Sequence, residues 1–160
     1  MLKMEIKGLL MDPVSNMPVV ILRDRDDGYF LPIWVGIFEA NAIALEMEKV
    51  ATPRPMTHDL LKNVLVELGT QVERIVITEL KDNTFYARIH LTRGDASWNV
   101  DSRPSDAIAL ALRSKADIFV EEEVLEKSKT LRSDGEQPDP ERLKKWLEEV
   151  NPDDLGKYRM

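Results

Sequence analysis

The stretch DSRPSDAIALALRSKADIFV, residues 101–120, decides how the chain is read. It spells the end of a strand, a tight turn, a helix and a second strand. Pro104 fixes its own φ near the helical value and pushes Arg103 out of the α region. Arg103 is therefore expected as the N-cap, Pro104 as the first helical residue and Asp106 as the third. A carboxylate at that third position can accept bonds from free backbone N–H groups and lies favourably in the helix dipole. Ala107 to Leu112 are all apolar, which predicts a helix with almost no solvent face, buried in the domain. Asp101, Ser102, Arg103 and Ser105 then crowd around the start of a buried helix. Such a place suits an anion or, through Asp101 and Asp106, a metal.

Upstream, the same pattern occurs once more at a shift of 65 residues: NAIALEM (41–47) lies over DAIALAL (106–112), sharing the run Ala-Ile-Ala-Leu. Three strands precede each of these helices. MEIKGLLM (4–11), MPVVILR (17–23) and YFLPIWV (29–35) come before EANAIALEMEKV (39–50). VERIVITEL (72–80), TFYARIHL (84–91) and ASWNV (96–100) come before the helix at Pro104, and a short strand, Ile118 to Val120, follows it. Asp and Asn, with Gly or Pro, punctuate them as turns. Pro32 marks its strand as an edge or as irregular at its start. Prolines 53 and 55 end the first helix, and Thr57 is expected to cap a second, HDLLKNVLVEL, that stops at Gly69. The expected fold is α+β, a duplicated βββα unit in which two three-stranded meanders are related by a pseudo-twofold. Ala42, Ala44, Ala107, Ala109 and Ala111 let the helices approach closely.

Length and composition place limits on this. A chain of 160 residues with 43% hydrophobic and 32% charged residues fits one ordinary core. There is no cysteine, which removes disulfides, thiolate catalysis and Cys-ligated zinc. No 18 consecutive apolar residues occur, so a membrane partner is not expected and the cytoplasm is the expected address. The net charge is −7, and residues 121–160, with 12 acids and 8 bases, carry four of those charges. Arg23 and Arg25 alternate with Asp24, Asp26 and Asp27. No basic cluster stands free of acids, which weighs against extensive nucleic-acid contact while leaving room for a locally positive site.

The expected domain covers residues 1–125, beginning with the first strand. Residues 126–140 form a linker, polar and rich in Pro and Gly from Lys129 on, and residues 141–160 a C-terminal helix and tail. In ERLKKWLEEV (141–150), Leu143, Trp146, Leu147 and Val150 share one helical face. That face, with the alanine-rich helices, predicts a homo-oligomer, a dimer above other sizes.

Three motifs in order, LPIWVGIFEANAIA (31–44), RPMTHDL (54–60) and DSRPSDAIALALRSKADIFV (101–120), resemble the bifunctional nuclease domain family of small bacterial proteins with plant relatives. The resemblance covers roughly residues 1–125. It implies a compact α+β fold, oligomeric assembly and nuclease activity on DNA and RNA, an activity attributed to plant members. It brings no catalytic residue set, so the site is argued from the residues themselves.

Phosphodiester hydrolysis commonly uses divalent metal held by carboxylates, with a base or polarised water as nucleophile. Asp101, Asp106, His58 and Glu39 are the candidate catalytic residues, with Asp101 and Asp106 as ligands for Mg or Mn. Arg54, Arg103, Ser102 and Ser105 are the candidate phosphate ligands. Each has a plainer reading. Asp106 and Asp59 can simply favour a helix start, His58 can be a surface residue there, and arginines often bond carboxylates of their own chain. His90 sits in an alternating strand and reads as packing. Two histidines are too few for a His-Asn-His metal finger, and neither a phosphate-binding glycine loop nor G-x-G-x-x-G occurs. The E-x-K triples at Glu5–Lys7 and Glu79–Lys81 lack an upstream proline-acid pair. Two functions remain: a metal-assisted nuclease, or a non-enzymatic oligomer that binds an anion or a protein. Polar helix starts fully consumed by internal bonds would favour the second.

Overall fold

A computed structural model describes residues 1–25 and 28–128 and the backbone of 131–132. Of the expected linker at 126–140, residues 126–127 end a helix and 131–132 form a strand, while 129–130, 133–140 and the expected helix at 141–150 lie outside the described residues. The elements run β1 (Leu2–Met11), β2 (Pro18–Arg23), β3 (Tyr29–Trp34), α1 (Ile37–Met47), α2 (Thr57–Glu67), β4 (Gln71–Lys81), β5 (Thr84–Arg93), β6 (Ala96–Ser102), α3 (Pro104–Ser114), β7 (Asp117–Val120), α4 (Glu122–Lys127) and β8 (Leu131–Arg132). The α+β class and the repeated βββα order are as read from the sequence.

The strands form one sheet in the order β6-β5-β4-β7-β1-β2-β3-β8. Each repeat is an antiparallel meander, and β7 lies between them, parallel to β4 and antiparallel to β1. Strand β1 serves both halves: Leu2 to Met4 pair with β7, and Glu5 to Met11 pair with β2, across an irregularity between Ile6 and Gly8. The hairpin at Asp82-Asn83 has positive φ at both residues, 50° and 60°, the twist that a two-residue connection needs. Pro32 pairs with Ile21 on one side, while β8 reaches only Tyr29 and Phe30 on the other. Among the described residues the missing N–H therefore faces no partner strand, as an edge proline requires.

Helices α1 and α3 pack together, α1 against β2 and α3 against β4, β5 and β7. Residues Ala107 to Ala111 of α3 are at most 1% exposed. The alanines make this possible, because small side chains let the helix sit close to the sheet and to α1. Strands β2 and β3 are buried along nearly their whole length, from Val19 to Leu22 and Phe30 to Trp34. Trp34 needs a partner for its indole, and Asp12 supplies it at 2.9 Å. Burial disfavours the charge of Asp12, but the bonds from Trp34, Ser15 and Val14 outweigh this and hold its carboxyl below the usual value. No described helix is long and apolar enough to cross a membrane.

Three helix boundaries differ from expectation. Helix α1 begins at Ile37 after Gly36 as N-cap, and it ends at Met47 because Lys49 takes positive φ. Helix α2 begins with Thr57 already inside it and Met56 as N-cap, whose N–H donates to Asp59 Oδ2 at 2.9 Å. Asp59 replaces the expected Thr57 cap because it sits at the third helical position, within reach of that N–H.

Candidate functional site

Helix α3 starts as its sequence dictates, with Arg103 as N-cap in extended conformation and Pro104 first in the helix. Asp106, at the third position, makes no capping bond. Its Oδ1 instead meets His58 Nε2 at 2.9 Å, and its Oδ2 accepts from Arg103 Nε at 2.7 Å. Arg103 Nη2 continues to Glu39 Oε1 at 2.9 Å. Four side chains from three helix starts thus form one chain: Glu39, Arg103, Asp106, His58.

Glu39 is the third residue of α1 and Asp106 the third of α3. The two carboxylates gripping Arg103 therefore occupy the same helical position in the two repeats. Sequence alignment alone pairs Asp106 with Asn41, because α1 starts two residues early relative to the shift of 65. Gly36 makes room for this arrangement, since a Cβ there would collide with the Glu39 carboxylate.

The charges reinforce one another. Burial works against the ionised form of Asp106, but hydrogen bonds from Arg103 and His58 prevail and hold its carboxyl below the usual value. Arg103 is raised in turn, mainly by its bond to Asp106. With Asp106 ionised, His58 Nε2 carries a proton and donates it to the carboxylate, which leaves Nδ1 as the nitrogen able to accept one. Arg103 is 48% exposed by its side chain, so it also meets solvent.

His58 is placed by its neighbour. Asp59 Oδ1 accepts from Arg113 Nε at 2.6 Å, and Arg113 also donates to the carbonyls of Ala109 and Ala42, both at 3.0 Å. One guanidinium, 3% exposed, thereby joins α2, α3 and α1. The bond from the Met56 N–H, chiefly, and the Arg113 contact depress the Asp59 carboxyl. Arg113 was missed in the sequence, where the available signal was a lone cation closing an apolar helical run.

The group lines a cleft of about 630 Å³ between the three helices, walled by Phe38, Ala42, Leu45, Met56 and Leu61 and carrying Glu39, His58, Arg103 and Asp106. The remaining candidates lie elsewhere. Asp101 pairs with Arg88 on the face of β6 opposite Ser102, and it does not line the cleft. Ser102 Oγ donates to the carbonyl of Arg103 at 2.9 Å. Ser105 is fully buried, with no hydrogen-bond partner for its Oγ among the described residues. Arg54 is exposed in the loop before α2. The donors expected to hold a divalent ion thus do not meet: both oxygens of Asp106 are engaged, and strand alternation turns Asp101 away. Among the described residues no three carboxylates or histidines converge as a metal-binding group.

The sequence model of the bifunctional nuclease domain matches residues 20–133. The chain belongs to the bifunctional nuclease domain family. It is 38% identical over 162 residues to an uncharacterized protein of Mycobacterium tuberculosis, covering 96% of this chain and 97% of that one. It is 31% identical over 116 residues to bifunctional nuclease 1 of Arabidopsis thaliana and 26% over 114 residues to bifunctional nuclease 1 of Oryza sativa subsp. indica. Those matches cover 71% and 69% of this chain but only 36% and 34% of the plant proteins. The stretch matched by the family model contains all three helix starts that build the cleft.

Proposed function

We propose that the cleft hydrolyses phosphodiester bonds of DNA and RNA, with His58 as general base, Asp106 as the residue that orients it and Arg103 as the phosphate ligand. The His58–Asp106 contact at 2.9 Å is the observation that carries this reading. A carboxylate on one imidazole nitrogen fixes the tautomer and stabilises the imidazolium that forms when the other nitrogen takes a proton. His58 removes a proton from water, the water oxygen forms the new bond to phosphorus, and an ester P–O bond breaks. The leaving alkoxide then recovers a proton from the imidazolium through solvent. Arg103 offsets charge on the phosphate oxygens as they become more negative. Glu39 competes for the same guanidinium, so substrate binding displaces its carboxylate. A divalent ion such as Mg or Mn on Asp106 would require Arg103 to leave that carboxylate.

The test is hydrolysis of single-stranded DNA and RNA by highly purified protein, with and without divalent metal, beside His58→Ala from the same preparation. Activity lost in His58→Ala supports the reading. Equal activity in both preparations, or none in either, removes it.

The bonding of Glu39, Arg103, Asp106 and His58 to one another, together with the exposed apolar side chains along α2 and its C-cap, favours a second reading, a non-enzymatic module that binds protein. Leu60, Val64 and Leu68 recur four residues apart and are all exposed. We propose that a second copy of the chain covers this stripe. Dimerisation with no hydrolysis would leave the second reading standing alone.

A further inference from the structure

We propose that β6 is the track by which single-stranded nucleic acid reaches the cleft, with a base stacked on Trp98 and the backbone passing from Arg93 toward Arg103. This rests on the reading of the cleft as a phosphodiester site. The register pairs Ala87 with Ser102, Ile89 with Val100 and Leu91 with Trp98. Directly paired residues share a face, so Trp98, Val100 and Ser102 continue the surface that Ala87 and Ile89 turn toward the helices. Over β6 no described residue covers that surface, and Trp98 and Val100 are each 42% exposed. The edge strand thus presents an aromatic shelf on the side of the sheet where the cleft lies.

The shelf carries its own cation. The Arg93 guanidinium lies 5.3 Å from the centroid of the Trp98 ring, and Arg93 makes no ion pair with any described residue. An aromatic ring beside an arginine grips single strands without reading sequence, because every base has a face to stack and every nucleotide a phosphate. The strip itself carries no acid to repel such a ligand, and its two ends carry cations. Ala96, Trp98, Val100 and Ser102 are uncharged, and Asp101 is on the other face with Arg88. Arginines stand at both ends, Arg93 before the strand and Arg103 after it. From Trp98 to Ser102 the strand advances about 13 Å, and the next residue is Arg103 in the cleft wall. A duplex would bring its bases stacked on each other, with no face free for Trp98.

Binding of fluorescein-labelled oligothymidylate, single-stranded and annealed to its complement, tests this by anisotropy in the full-length chain. Wild type, Trp98→Ala, Trp98→Phe, Arg93→Ala and the opposite-face control Asn99→Ala are compared. Trp98→Ala should weaken single-strand binding about 10-fold and Trp98→Phe much less. Arg93→Ala should flatten the salt dependence, and Asn99→Ala should bind as wild type does. The proposal is overturned if wild type binds no single strand, if Trp98→Ala binds as tightly as wild type, or if the duplex binds equally well. It is overturned too if Trp98→Ala turns an oligomer into a monomer, which would make β6 an interface between copies. Binding through Trp98 without any hydrolysis would leave the track standing and remove the cleft chemistry. Hydrolysis with binding indifferent to Trp98 would do the reverse.

Discussion

Arg113 and Asp59, 54 residues apart in the chain, meet at 2.6 Å between Nε and Oδ1. The contact ties α2 to α3 one residue from His58, so the position of the proposed base depends on a guanidinium outside the cleft lining. Removing Arg113 takes the guanidinium bonds from Asp59 Oδ1 and from two helix carbonyls. Arg113→Met should cost about 3 kcal/mol, read as a fall of roughly 10 °C in Tm. Single-strand hydrolysis should fall further than stability alone accounts for, measured well below the new Tm.

Asp106→Asn separates orientation from packing. The amide keeps one acceptor, but it loses the charge facing Arg103 and His58. Stability should fall by about 1 kcal/mol, while hydrolysis falls about 10²- to 10⁴-fold. Undiminished activity in the folded variant would remove Asp106 from the site.

Acid should destabilise the domain in two stages. His90 is held below its usual value, mainly by burial and then by Arg74, so its neutral form is favoured in the fold. That contribution is complete above the unfolded-state value, about 6.5, and is lost as pH falls from there. Asp12, Asp59 and Asp106 are likewise depressed. Their contribution is complete above the unfolded carboxylate value near about 3.9 and disappears as pH falls through the lower folded values. Denaturant midpoints should therefore drop shallowly below about pH 6.5 and steeply below about pH 4.

Glu39 should behave as a competitor for Arg103. Gly36→Ala places a Cβ against the Glu39 carboxylate, and the flexible side chain yields. The backbone at Gly36 has φ −66°, which alanine adopts freely, so stability should change by less than about 1 kcal/mol. Inorganic phosphate should bind more tightly to this variant and to Glu39→Gln, measured by isothermal titration. Unchanged phosphate affinity in both would show that Glu39 does not guard the guanidinium.

Light scattering should give about twice the chain mass of 18.3 kDa. Val64→Lys on the exposed stripe should reduce it to one chain without loss of helical signal. A single-chain mass for the wild type across micromolar concentrations would refute the dimer.

The start of α3 was legible in full, because Pro104 leaves one placement for the residues around it. The duplication was legible too, since two apolar helices each follow three strands at one spacing. The position of β7 between the repeats was not. Strand order is a tertiary choice, and DIFV carries no mark of its neighbours. Gly36 lacks the polar side chain that announces an N-cap, so the start of α1 was placed two residues late. That displacement concealed the equivalence of Glu39 and Asp106. Asp101 could have been set aside from strand alternation alone, which turns it away from Ser102. His58 and Asp106 were both named as candidates, but 48 residues separate them, and their contact depends on how α2 packs on α3.

Strand β7 also bears on how the domain is made. It is the last of the seven longer strands to leave the ribosome, yet it occupies the middle of the sheet. Each meander can pair internally as soon as it emerges, but each then exposes an inner edge, β4 in one and the first residues of β1 in the other. Both edges wait for Val120. Until then the nascent chain holds two half-sheets with open hydrogen-bonding rims, and the joining step draws together residues more than a hundred positions apart. Truncation just before Asp117 should therefore yield two sticky halves that aggregate, a fate that cleavage after β7 avoids.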